Sequence, residues 1–379
     1  MAQRSEVLTP LDGFFRELDT CTACPKLCVH ACPVAEAAAN ERLSPWGKMT
    51  MANLMRKGKR PRTRTEAELF YHCLGCMQCT VVCKRQVPVD EVMARGRIEA
   101  YREGLHPEAL EPWLEKFRRY NNPYGLDLQE MQRRLVDRVF WTETPQAIYL
   151  PGSRELALAS QHTERVFALF QMLGIDFVGL FVGVDTSLGL SLWRMGFEDL
   201  FRKHAFRVYR QLLGFKLIVT SDPEVAYALN VLYPRYGFKL KATVKHISEF
   251  LAPYVHNHHN PSQDGRSWCL HHNPVLARHL GVVRPAMKIG ALLFERPAVE
   301  LHWEAQHTWS SGYEEPVSYL YPALSAAIAR RRIDEMVRCG ARVAVTTSPG
   351  DYAHLREHAA GLITVEDLVD LVYYHFAGS

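Results

Sequence analysis

Ten cysteines are distributed very unevenly over this 379-residue chain. Eight lie between positions 21 and 83, and Cys269 and Cys339 stand alone. The first run reads Cys21-x2-Cys24-x3-Cys28-x3-Cys32-Pro33, and the second reads Cys73-x2-Cys76-x2-Cys79-x3-Cys83. Thiolate sulfur is a soft donor that suits iron–sulfur clusters and zinc. Structural zinc sites pair two short Cys-x2-Cys hooks across a longer spacer, and neither run has that form. In two-cluster ferredoxins the fourth cysteine of each run ligates the other run's cluster, and proline follows it. The spacing therefore predicts two 4Fe-4S clusters. Cys21, Cys24, Cys28 and Cys83 would hold one; Cys73, Cys76, Cys79 and Cys32 would hold the other. Two features depart from the bacterial spacing. One extra residue lies within Pro25-Lys26-Leu27, and Lys84 stands where the second run would carry its proline. Both alter loop shape more than ligation.

The remaining reactive side chains are weaker candidates. Histidines crowd one stretch, at His256, His258, His259, His271 and His272, but have no acidic or thiolate partners at ligand spacing. Ser310 and Ser311 lie near His307, without the G-x-S-x-G elbow of a serine nucleophile. Gly183 to Gly189 lacks the G-x-G-x-x-G pattern of a nucleotide site. Cys269 and Cys339 are expected to be buried as small apolar side chains.

Elements must position the two runs. Ser44-Pro45 starts a helix that carries Met49, Leu54 and Met55 and ends near Gly58. The basic run from Arg56 to Arg64 reads as a solvated loop, and Thr65 is expected to cap a second helix, Glu66 to His72. Apolar residues at helical spacing, from Trp113 to Phe140, predict a helical connector. Beyond it, short apolar runs at Ala147–Leu150, Phe177–Val184 and Lys216–Thr220 alternate with helices, which indicates α/β units around a parallel sheet. The stretch Met172–Trp193 is interrupted by Asp176 and Asp185 and reads as buried sheet and loop, so no transmembrane segment is expected.

This second half repeats itself. Ser187-Leu188-Gly189 and Gly214-Phe215-Lys216-Leu217-Ile218-Val219-Thr220-Ser221-Asp222-Pro223 correspond to Ser310-Ser311-Gly312 and Gly340-Ala341-Arg342-Val343-Ala344-Val345-Thr346-Thr347-Ser348-Pro349. Each copy closes alike, with His246 to Leu251 set against Ile363 to Leu368. The fold class is therefore α+β and multidomain. A helical two-cluster ferredoxin domain (1–110) and a helical connector (111–145) precede two tandem Rossmann-like, parallel-sheet α/β repeats (146–260 and 266–379), joined by a linker from His256 to Arg266. A net charge of +4 is small for this length, and no nucleic-acid partner is expected. The N-terminus lacks an apolar signal core, and clustered cysteines favour metal in a reducing compartment, so a cytoplasmic location is expected.

With these motifs in place, the chain resembles the iron–sulfur subunits of the heterodisulfide reductase type, a plan shared with the iron–sulfur subunit of anaerobic glycerol-3-phosphate dehydrogenase. Members join a two-cluster ferredoxin domain to two cysteine-rich domains that carry Cys-Cys-Gly (CCG) motifs. In this chain the family's cysteine positions fall on Ser153, Ser187, Leu188, Asp222 and Val225 in the first repeat. In the second they fall on Val275, Ser310, Ser311, Ser348 and Asp351. The glycines and prolines remain and the cysteines do not. The resemblance implies a subunit relaying electrons through two 4Fe-4S clusters, with protein redox partners: a flavoprotein, a membrane quinone-reactive subunit, or both. It could then be peripheral on the membrane through a partner. Two other functions stay open: a disulfide reductase whose catalytic centre lies in the α/β domains, and an assembly subunit whose clusters act as staples.

Overall fold

The computed structural model describes residues 11–26, 28–137, 139, 146–183, 187–258 and 264–378. It is rich in helix, with two small parallel sheets behind a helical N-terminal region.

The N-terminal helices form where caps and apolar spacing dictate. Ser44 caps Pro45–Arg56, its Oγ accepting the Gly47 N–H at 3.0 Å. Met49, Ala52 and Met55 on that helix are buried against Leu18 of Phe15–Thr22 and Val92 and Met93 of Val89–Arg102. The next helix is Arg64–Tyr71, and its cap is Thr63, two residues earlier than expected. Thr63 Oγ1 accepts the Glu66 N–H, the bond an N-cap makes, while the Glu66 carboxylate pairs with Arg42 and Arg60. Helices Arg64–Tyr71 and Val89–Arg102 cross closely at Gly96. A Cβ there would lie 2.3 Å from the Phe70 ring.

The connector is two helices, Glu111–Tyr120 and Leu128–Val136, separated by a turn that Asn121 enters with a left-handed φ of 55°. Trp113, Leu114 and Phe117 of the first join the N-terminal core. Leu128 and Leu135 of the second join the core of the α/β region.

Seven strands follow: β1 (Ala147–Tyr149), β2 (Val178–Leu180), β3 (Leu217–Thr220), β4 (Thr243–His246), β5 (Trp268–His271), β6 (Val343–Thr346) and β7 (Thr364–Asp367). They form one parallel sheet in the order β2-β1-β3-β4 and another in the order β5-β6-β7. Thus β5, β6 and β7 repeat β1, β3 and β4. Among the described residues the second sheet has no counterpart of β2. The register places Thr243-Val244-Lys245-His246 opposite Thr364-Val365-Glu366-Asp367 in the repeat, a shift of four residues from the pairing expected for the ends of the two copies.

Both sheets are covered on two faces, as parallel sheets require. Ile148, Leu150 and Ile218 face the core shared with the N-terminal helices. Tyr149 and Val219 face a second core, which Trp268, Leu270, Val343 and Val345 enter from the other sheet. Helices from both repeats fill the space between, among them Ser160–Met172, Ile247–His258, Arg284–Leu293 and Leu368–Ala377. Cys269 points to the opposite face of its strand and is fully buried beneath Pro322–Arg338. Cys339 is partly buried at the end of that helix.

Candidate metal centre

The first cysteine run lies on short turns between two helices. Cys21 ends a turn of Phe15–Thr22, and Cys32 immediately precedes Pro33–Ala38, with Pro33 at its first position. Pro25 is exposed, and Lys26 is left-handed at φ 69° with its ammonium 2.7 Å from Glu41; Leu27 lies outside the described residues. The second run is built on two left-handed residues, Gly75 (φ 69°) and Met77 (φ 57°). The fold turns sharply at each, and Gly75 N–H donates to Cys73 Sγ at 3.5 Å. The N–H of Gln78 stabilises the charged form of Cys76 in the same way.

Electrostatic neighbours reveal which sulfurs share an environment. Cys21 feels Cys28, Cys83 and Cys24. Cys79 feels Cys76, Cys73 and Cys32. Cys83 thus lies near Cys21 and Cys28 of the first run, Cys32 lines one cleft with Cys73, Cys76 and Cys79 of the second, and Cys28 also feels Cys32. Burial, reinforced by neighbouring sulfurs, pushes Cys21 up to about 12 and Cys28 up to about 11, and pushes Cys79 well above the ordinary thiol range. Burial likewise pushes Cys76 up to about 12, against the pull of Arg278. A buried thiol of this kind gives up its proton when a metal supplies the compensating charge.

The donor set fits iron–sulfur clusters better than single zinc ions. Four thiolates on one tetrahedral zinc stand about 3.8 Å apart, from a Zn–S bond of about 2.3 Å. Among the described residues, the groups of three or more donors converging within 4.8 Å are His354/Glu357/His358 and His162/Asp367/Asp370, and neither contains a cysteine. The eight sulfurs are therefore gathered but held wider than one ion needs.

The second set lies in a cleft that Pro33, Pro45, Leu74 and Val89 line together with Cys32, Cys73, Cys76 and Cys79. Cations approach it from distant parts of the chain. Lys48, 1% exposed on Pro45–Arg56, lines the cleft. The Arg97 guanidinium donates to the carbonyls of Phe70 (2.9 Å) and Cys73 (3.5 Å). Arg278 reaches over from the second α/β repeat and donates to the Cys76 carbonyl, Gln78 Oε1 and the Thr308 carbonyl. The Trp309 indole N–H donates to the Ala31 carbonyl at 3.1 Å. The second repeat thus closes over the cysteine loops of the first ninety residues. Sequence spacing gives no hint of Lys48, Arg97 or Arg278, which stand 24 or more positions from Cys73.

The basic run is not a free cationic patch. Arg56 and Lys57 pair with Asp19, Arg60 with Glu66, Arg62 with Glu99 and Glu103, and Arg64 with Glu108.

The positions that the resemblance assigns to lost cysteines are filled by polar networks or apolar packing. Ser311 Oγ donates to Asp351 Oδ1 at 2.6 Å, and Asp351 also accepts from Asn273 Nδ2 at 2.7 Å and lies 3.0 Å from His271 Nε2. Burial opposes the Asp351 charge, but His271 and these hydrogen bonds win and hold its carboxyl below the ordinary range. Ser310 donates to Glu314, and Ser348 caps the helix Pro349–His358. In the first repeat Asp222 caps Pro223–Tyr227 and packs so closely on Gly152 that a Cβ there would lie 2.2 Å from its Oδ2. Leu188, Val225 and Val275 are buried apolar residues.

His271 is committed to Asp351 and Arg332, His256 is exposed, and His259 lies outside the described residues, as do Val184 to Thr186 of the glycine-containing stretch. His307 is exposed while Ser310 and Ser311 are buried.

Among the described residues, no helix is long and apolar enough to cross a membrane. No curated protein matches the chain. Residues 17–87, which contain all eight clustered cysteines, match the 4Fe-4S dicluster domain family, and this match points to an iron–sulfur electron-transfer protein.

Proposed function

We propose that the chain is the electron-relay subunit of a larger oxidoreductase, of the heterodisulfide reductase and anaerobic glycerol-3-phosphate dehydrogenase type, with its CCG motifs degenerate. Cys21, Cys24, Cys28 and Cys83 would hold one 4Fe-4S cluster, and Cys73, Cys76, Cys79 and Cys32 a second. The observation that carries this reading is the crosswise gathering of the sulfurs, with Cys83 beside the first run and Cys32 beside the second. When bound, such clusters pass single electrons between a flavoprotein and a second partner, such as a membrane quinone-reactive subunit.

The chain's own residues set the conditions for that transfer. Gly75 and Gln78 direct N–H groups at sulfur, and Lys48 and Arg278 place positive charge beside the second set. Leu74 and Val89 exclude water from one side of it. The α/β repeats serve as a platform, since serine, aspartate and aliphatic side chains occupy the positions where a catalytic disulfide reductase would place thiolates. That argues against a disulfide reductase centre in those repeats.

The test uses the native complex purified anaerobically. Cys76→Ser is expected to abolish electron flow between the partners while the complex still assembles. Normal flow after demonstrated loss of that cluster would leave the clusters as staples and overturn the relay.

A further inference from the structure

The carboxyl ends of the two sheets face each other. His246 at the end of β4 reaches the Thr347 carbonyl at 3.0 Å, and Asp367 at the end of β7 faces His162 of the first repeat. Beside this junction lies a cavity of about 290 Å3, lined by His162, Arg165, Tyr352, Arg356, Asp367 and Asp370 among others. Parallel sheets place their ligands at the carboxyl ends of the strands.

Three donors converge on that cavity. One ligand atom each from His162, Asp367 and Asp370 lies within 4.8 Å of the other two. His162 is 5% exposed and Asp367 3%. His162 Nδ1 stands 3.5 Å from Asp367 Oδ1, too long for a good hydrogen bond. Two ligands of one ion, each about 2.1 Å from it, stand roughly 3–3.5 Å apart.

The surroundings match what a metal-binding imidazole needs. The other ring nitrogen, Nε2, lies 3.0 Å from Ser221 Oγ, which accepts from the Tyr149 hydroxyl at 2.8 Å. Such outer contacts fix ring orientation and tautomer in metal sites. Asp370 Oδ2 accepts from Arg165, while its buried Oδ1 has no hydrogen-bond partner. An unpartnered buried carboxylate oxygen is costly.

We propose that His162, Asp367 and Asp370 form a divalent-cation site at the junction of the two α/β repeats, with its open coordination positions facing the cavity. One imidazole and two carboxylates suit Mn2+ or Fe2+ better than a soft ion. The site is separate from the cysteine sets and bridges the repeats, His162 from one and both aspartates from the other.

Titration of the intact holoprotein with Mn2+ alone, followed by the electron paramagnetic resonance signal of free Mn2+, tests this. About one Mn2+ should bind per chain. Asp370→Asn and His162→Gln should each weaken binding at least tenfold. Asp367→Asn should do the same while keeping the cap on Leu368–Ala377, since its Oδ1 would still accept the Val369 N–H. The double variant His354→Ala/His358→Ala removes the other converging donor group among the described residues and should leave binding unchanged. Absence of a saturable site in the unmodified protein would overturn the proposal. So would affinity unchanged in Asp370→Asn and His162→Gln, or binding lost in the double variant.

Discussion

Lys48 and Arg278 matter because of the charge they bring to one cysteine set and not the other. Lys48 lines the cleft of Cys32, Cys73, Cys76 and Cys79 from within a helix. Arg278 grips the backbone of Cys76. A positive charge about 8–16 Å from a redox centre, at an effective dielectric of about 20, favours the added electron by ~1–2 kcal/mol, or roughly 40–90 mV. Lys48→Met and Arg278→Met are each expected to lower one of the two reduction potentials by that order and the other by clearly less. A redox titration monitored by electron paramagnetic resonance resolves the two. Equal shifts in both, or none, would contradict the placement of these charges. The cysteines themselves were legible in the sequence because their ligand spacing is local. Lys48, Arg97 and Arg278 were not, because only the folded chain carries them to the cluster loops. For the same reason the sequence shows Ser311 and Asp351 but not the hydrogen bond between them, which joins residues 40 positions apart.

Helices hold these residues in place, and two contacts show how narrowly. Gly96 lets Val89–Arg102 pass against Phe70 of Arg64–Tyr71, directly upstream of Cys73. Gly96→Ala would force the Phe70 ring to move and is expected to cost about 1–3 kcal/mol, as overpacking does. Thermal unfolding of the cluster-loaded protein measures it, and an unchanged midpoint would mean the helices can separate freely. Ser44→Ala removes the cap of Pro45–Arg56 and is expected to cost ~1 kcal/mol. Cap chemistry was readable where one candidate stood alone, as at Ser44-Pro45. At Thr63 and Thr65 two candidates competed, each with a glutamate three residues on (Glu66 and Glu68), so the pattern did not separate them; in the fold Thr63 is the cap. The repeat was readable from its glycines and prolines. Its last strand was misaligned by four residues because Glu249 and Leu251 match Glu366 and Leu368 in type, whereas their true counterparts are Asp370 and Val372.

At the scale of the molecule, two cores link three segments. One joins the N-terminal helices to the first sheet, and the other lies between the two sheets and takes helices from both repeats. The second repeat also closes over the cysteine loops through Arg278 and Trp309. Sequence patterning foresaw a helical N-terminal region and alternating strands and helices in parallel sheets beyond it. It did not foresee the shared core, since alternation marks a strand as buried without saying against what. The proposed crosswise assignment has a consequence that spans both runs. Cys83→Ser should disturb the same spectroscopic signal as Cys21→Ser, and Cys32→Ser the same signal as Cys76→Ser. If Cys83→Ser instead follows Cys76→Ser, each run holds its own cluster and the crosswise assignment fails. Most directly, iron and acid-labile sulfide can be assayed in the protein purified without oxygen. Two four-iron clusters predict about eight of each per chain. About four or fewer irons, or zinc in their place, would contradict the account.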